Sequence, residues 1–121
     1  MKTQPFQAMI YLMLLMFFTS EASASDIRSD IESLSELAGM ADFCQGVFED
    51  ASDLESLSKI RNENASISIH AANLFRNEDD HYAANEARKD GYMHYRKFFD
   101  GDTGACKRLI STLKLLNERN N

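Results

Sequence analysis

The sequence predicts an all-α protein, a small bundle of about four helices stapled by one disulfide between Cys44 and Cys106. Three observations lead there. Apolar residues recur at three- and four-residue steps through most of the chain, which is the period of a helix face. The only proline is Pro5, so no later helix is interrupted by proline. Both cysteines follow an N-terminal segment that reads as an export signal, and an even pair in an exported chain reads as a bridge.

That segment is "MKTQPFQAMIYLMLLMFFTSEASAS". Lys2 precedes an apolar run from Ala8 to Phe18, and the small-residue motif Ala22-Ser23-Ala24 follows. This is the order of a secretory signal peptide, so residues 1–24 are expected to be removed and the mature chain to begin at Ser25. The apolar run falls short of the ~20 residues a membrane-spanning helix needs. The expected location is therefore the periplasm or outside the cell, with no membrane span after cleavage. Residues 25–121 form a single helical domain of 97 residues. A chain of that size buries only about two thirds of its unfolded surface, which leaves its core marginal without help. The disulfide closes a long loop, worth about 4 kcal/mol in the chain-entropy account.

The first helix is read in "SDIRSDIESLSELAGMADFCQGVFED". Ile27, Ile31, Leu34, Ala38, Ala41, Cys44 and Phe48 make one face. Ser25 is a candidate cap, and Asp26 and Asp30 suit the positive end of the helix dipole. Gly39 and Gly46 weigh against an unbroken helix. The second helix is expected to start with a capping box, Ser52 and Glu55, and to carry a stripe of Leu54, Leu57, Ile60, Ile67, Ala71, Leu74 and Phe75. Asn64 falls where an apolar residue belongs, so "RNENAS" is a candidate break. Asn64-Ala65-Ser66 also matches a glycosylation acceptor. "ASISIHAA" alternates like a strand, but a lone strand has nothing to pair with.

The third helix is expected from about Asp79 to Phe99, capped by Asn77, with acidic residues Glu78, Asp79 and Asp80 in its first turn. Its inner stripe runs Ala84, Ala87, Gly91, Tyr95, Phe98. The small residues let another helix approach closely and the rings fill the wider end. Asp100-Gly101 signals a turn, and Asp102 or Thr103 caps the fourth helix. Cys106, Leu109, Ile110, Leu113 and Leu116 form that helix's stripe, and the last residues, "NERNN", are expected to fray.

The charge is uneven. Residues 25–58 hold nine Asp or Glu against one base, Arg28, whereas residues 59–121 hold nine acids against eleven bases. Solubility and complementary contact between the two segments account for this. A net charge of −6 without a long basic stripe makes nucleic acid a poor partner.

Few chemical motifs survive inspection. "DGDTGA" resembles the start of a calcium loop, but the sixth and twelfth places from Asp100 hold Ala105 and Ser111 where Gly and Glu are needed. The chain lacks a C-x-x-C-H haem site, a C-x-x-C redox pair, a phosphate-binding glycine loop and a nucleophile elbow. Glu86, Asp90 and His94 share a helix face at four-residue steps and are the one candidate metal set, although Lys97 beside them repels a cation. A small bundle leaves little room for a deep cleft, so no catalytic activity and no cofactor is expected.

What remains is surface. Tyr82, Tyr92, Met93, Arg96 and Lys97 are left over on the outward parts of helix three, and these residue types are enriched at protein interfaces. The acidic first helix, with Asp30, Glu32, Glu36 and Glu49, is a second surface, suited to a basic partner. The expected function is a small exported protein-binding module of inhibitor, immunity or adaptor type. The alternatives are a small-ligand or metal-binding bundle on Glu86, Asp90 and His94, and a periplasmic stress chaperone. The last rests on an acidic domain losing charge as pH falls while the disulfide holds the loosened chain.

Overall fold

The computed structural model describes the backbone of residues 4–120 and the side chains of residues 26–120. The side chains of the expected signal peptide, residues 1–24, lie outside the described residues. Four helices follow one another: α1 (Gln4–Asp50), α2 (Leu54–Asn73), α3 (Glu78–Phe98) and α4 (Thr103–Asn120), with no strand among the described residues. The alternating stretch 65–72 is helical, inside α2. In the full chain α1 passes through Ser25, so that residue lies within the helix and does not cap it.

The helices alternate in direction. Arg28 reaches Asp80 and Phe43 meets Tyr92, so α1 and α3 run the same way. Lys107 faces Asp53 and Asn117 bonds Glu63, so α2 and α4 run together in the opposite sense. α1 is the central helix and packs against each of the other three, while α4 lies on α1 and α2. The core is what the periodicity of α1 implies: Ile31, Leu34, Ala38, Ala41, Cys44 and Phe48 are all buried, joined by Leu57, Ile60, Ile67, Leu109 and Leu113. Burial of each larger side chain contributes roughly 1.5–3 kcal/mol. The Cys44–Cys106 disulfide ties α1 to α4 inside this core, with Cα atoms 5.5 Å apart.

Two glycines set the distance between α1 and α3. A Cβ on Gly39 would stand 1.8 Å from the Arg88 carbonyl oxygen, and one on Gly91 would stand 2.0 Å from that of Glu36. The two backbones touch, and neither position has room for any side chain. Gly39 does not break α1. It is the point at which α1 accepts α3. Gly46 differs, because nothing lies within 4 Å of where its Cβ would be.

The turns correct several boundaries. Ser52 is not the cap of α2. It adopts a left-handed φ of 56° just past the end of α1. Its N–H donates to the Glu49 carbonyl and that of Asp53 to the Phe48 carbonyl, each at 3.0 Å, which closes α1 in the manner usually given to glycine. Asp53 is the cap, accepting from the Ser56 N–H at 3.1 Å. The expected capping box was one residue out of register, and Glu55 instead pairs with Lys59 across one turn. Asn77 caps α3 as expected, accepting from the Asp80 N–H at 2.9 Å. Asp102 caps α4 through the Ala105 N–H at 2.9 Å, after Gly101 turns the chain at φ 73°. α4 is helical as far as Asn120, whose side-chain amide donates to the Leu116 carbonyl, so the stretch expected to fray is part of the helix up to that residue.

Three further expectations need correction. α2 is unbroken at Asn64, which is buried and donates to Asp42 at 2.8 Å. The folded domain therefore holds the Asn64 amide where a glycan would have to sit. Leu54 points to solvent from the first turn of α2. Phe98 is 59% exposed and not in the core. The stripe leaves the core after Tyr95, which is half-buried against it, and the following ring turns to solvent.

Candidate functional site

Two polar ties fix α3 on α1 and so position whatever α3 displays. Asp80 is fully buried. Its carboxylate accepts from Arg28 Nε at 2.9 Å, from Arg76 Nε at 2.9 Å and Nη2 at 3.2 Å, and from the Arg76 backbone N–H at 3.0 Å. The Arg76 hydrogen bonds hold the Asp80 carboxyl far below the usual carboxylate range, outweighing the burial that pushes it up. A buried charge needs this density of partners, since an unpaired one is strongly destabilising. The second tie is a fork between Arg88 and Asp42, with Nε donating at 2.6 Å and Nη2 at 2.8 Å. Asn64 completes the Asp42 shell and Arg88 also donates to Ser68 at 3.3 Å, so α1, α2 and α3 meet there. The Asp42 hydrogen bonds raise the Arg88 guanidinium above its ordinary value.

Neither pairing follows residue by residue from the sequence. Asp80 is expected only in the acidic first turn of α3, and the fold gives it a structural task. A signal for the first tie was present in Arg28, the sole base among the acids of residues 25–58. The complementary contact expected between the acidic and basic segments is realised in Asp42–Arg88, Glu49–Arg61 and Asp53–Lys107.

Beyond these ties, the last turns of α3 are open. Met93 is 51% exposed, and Arg96, Lys97 and His94 are exposed beside it and Phe98. Together with Asp90 they line a broad surface depression of about 550 Å³. The His94 and Phe98 rings lie 4.9 Å apart, and the Lys97 ammonium sits 5.3 Å from the centre of the Phe98 ring. That cation–ring contact covers part of the ring without removing it from solvent. Behind this outer layer, the Tyr95 and Phe99 rings lie 4.7 Å apart, tilted at 49°, and are half-buried. Burial pushes the Tyr95 phenol up from its ordinary value.

The expected surface residues thus divide. Met93, Arg96 and Lys97 come together, and Phe98 and His94 join them. Tyr92 turns toward α1, where it meets Phe43 edge to face at 5.5 Å. Tyr82 lies three turns away, exposed in a separate depression with Phe75 and His81. Phe98 was missed because helical spacing put it on the inner stripe. Only the tertiary structure shows that no other helix buries it.

Glu86, Asp90 and His94 share a face without forming a ligand set, since no three His, Cys, Asp or Glu converge on a metal position among the described residues. Glu86 instead lies 3.6 Å from Lys89, and the His94 ring packs tilted against Phe98. On α1, Asp30, Glu32 and Glu36 are exposed, whereas Glu49 is engaged by Arg61 at 3.0 Å. A cleft of about 440 Å³ lies where α1 ends, lined by Phe43, Gly46, Asp50, Tyr92 and Asp100 among others. His70 is half-buried in α2, and its Nε2 has no hydrogen-bond partner among the described residues. Among those residues, no helix is long and apolar enough to cross a membrane. No family model, curated protein or solved structure matches the chain.

Proposed function

We propose that this protein is an exported protein-binding module that engages its partner through the last turns of α3. The observation that carries this reading is the exposure of Met93 and Phe98, at 51% and 59%, around one surface depression. A single exposed apolar side chain is ordinary, but a thioether and a ring that line one depression together with Arg and Lys have the composition of an interface. Rigidity supports the same reading. The helix that carries these side chains is fixed by the Gly39–Gly91 contact and by two ion-pair ties, so little order has to be gained on binding. Export is the sequence's contribution, from the signal-like residues 1–24 and a buried disulfide suited to an oxidising compartment.

A photo-crosslinking residue placed at Met93 in the producing host tests the reading, with the exposed Leu115 of α4 as a control site. A discrete adduct from position 93 and none from 115 is the expected result. No adduct at 93, or the same adducts at both, would remove the last turns of α3 from consideration.

A further inference from the structure

We infer that the partner presents an acidic segment with an apolar centre. The inference rests on the docking face proposed above and names the chemistry of what it takes. Met93 and Phe98 supply the apolar surface of the depression, and Arg96 and Lys97 line it with them, Lys97 lying over the Phe98 ring. Among the described residues, neither of those two cations makes an ion pair, although most other bases of the chain do. Asp90 is the only acid lining the depression. This patch is therefore locally basic on a chain whose formal net charge is −6.

Two unpaired cations beside an apolar centre suit carboxylates that flank an apolar side chain. Arg96 offers a planar fork for one carboxylate, and Lys97 offers an ammonium already held close to the Phe98 ring. Six residues of one helix line the patch, Asp90 to Phe98 being about 12 Å along the axis, so a partner side chain and its neighbours over little more than two helical turns span it. The rest of the molecule argues against an anionic lipid surface. A domain of this net charge is repelled as a whole by a negative membrane, and two cations do not approach the basic cluster such binding needs. A narrow partner segment meets the local basic patch without meeting the acidic face of α1.

The test uses the purified protein and two synthetic amphipathic helical peptides. They share one Leu/Phe face and differ only in carrying Glu or Lys beside it. Binding is read by fluorescence anisotropy at low and moderate salt. The Glu peptide is expected to bind about tenfold more tightly than the Lys peptide, with the preference shrinking as salt rises. The Arg96→Glu/Lys97→Glu variant is expected to reverse that preference. Met93→Ala/Phe98→Ala is expected to weaken both peptides, with the helical circular dichroism unchanged in every variant.

The two ideas fail separately. Equal binding of both peptides, lost on Met93→Ala/Phe98→Ala, overturns the acidic partner and leaves the docking face standing. Glu-peptide binding that survives Met93→Ala/Phe98→Ala overturns the docking face, as does binding of neither peptide. Tighter association with vesicles containing phosphatidylglycerol than with the Glu peptide overturns the inference in favour of a lipid surface. Self-association in sedimentation that is lost on Phe98→Ala overturns it in favour of a second copy of this chain.

Discussion

Replacing Gly91 with alanine tests whether backbone contact with α1 holds α3, and with it the binding face, in place. The new Cβ would stand 2.0 Å from the Glu36 carbonyl oxygen and 2.8 Å from its carbon. Ordinary contact begins near 3.4 Å, so the helices must part by roughly 1.4 Å at this point. Both obstacles are backbone, and no change of rotamer relieves them. Parting the helices also stretches the Arg88–Asp42 fork, whose bonds are 2.6 and 2.8 Å, toward the limit of hydrogen bonding. Overpacking costs ~1–3 kcal/mol. Weakening a charge-assisted pair adds about 1 kcal/mol. The better helix propensity of alanine offsets about 1 kcal/mol of the total. A net loss of about 2 kcal/mol corresponds to a melting temperature lower by roughly 8–16 °C in a domain of this size.

Thermal and urea unfolding followed by far-UV circular dichroism measure the effect. Gly46→Ala is the internal control. It gains the same helix propensity and meets nothing within 4 Å, so it should stabilise by up to about 1 kcal/mol. The reasoning fails if Gly91→Ala melts with or above wild type, or if the two variants shift together.

Three other outcomes follow from the same structure. Replacing Cys44 and Cys106 together by alanine should cost about 4 kcal/mol, and equal melting of oxidised and reduced wild type would contradict that. Asp80 has a folded pKa depressed below its unfolded value, so its contribution is complete above about pH 4 and is lost as pH falls toward the folded value. The melting temperature of wild type should therefore fall more steeply than that of Asp80→Asn between about pH 4 and pH 2. Parallel slopes would show that the Arg28–Asp80–Arg76 cluster is not linked to folding. Ser52→Gly should raise stability by about 1 kcal/mol by relieving the left-handed φ of 56°, and a lower midpoint in urea would refute that account of the turn.

Much of the architecture was legible because it follows from local rules. The stripes of α1 and α4 are buried almost as their spacing implies, since a helix face needs only its own period to be recognised. The Asn77 cap and the Asp100-Gly101 turn were visible for the same reason. Errors at the α1–α2 junction came from competition between neighbouring signals. Ser52 and Asp53 are both good caps, and the choice depended on which residue had to close α1. Asn64 shows another kind of failure. On the helix stripe it reads as a defect, and only Asp42 and Arg88 arriving from two other helices make a polar residue suitable there.

The helical class, the pairing of the only two cysteines and the small-residue side by which α3 meets its neighbour are all readable in the amino-acid order. These depend on residue type and on separations of three or four positions along the chain. The packing of distant segments fixes that Gly39 meets the α3 backbone at Arg88 while Gly91 meets α1 at Glu36, that Asp80 is buried between two arginines, and that Phe98 is 59% exposed. Each of those outcomes depends on which helix arrives from elsewhere in the chain and how far it reaches. α4 turns after Gly101 to lie on α1 and α2, and the side of α3 that carries Met93 and Phe98 is left exposed.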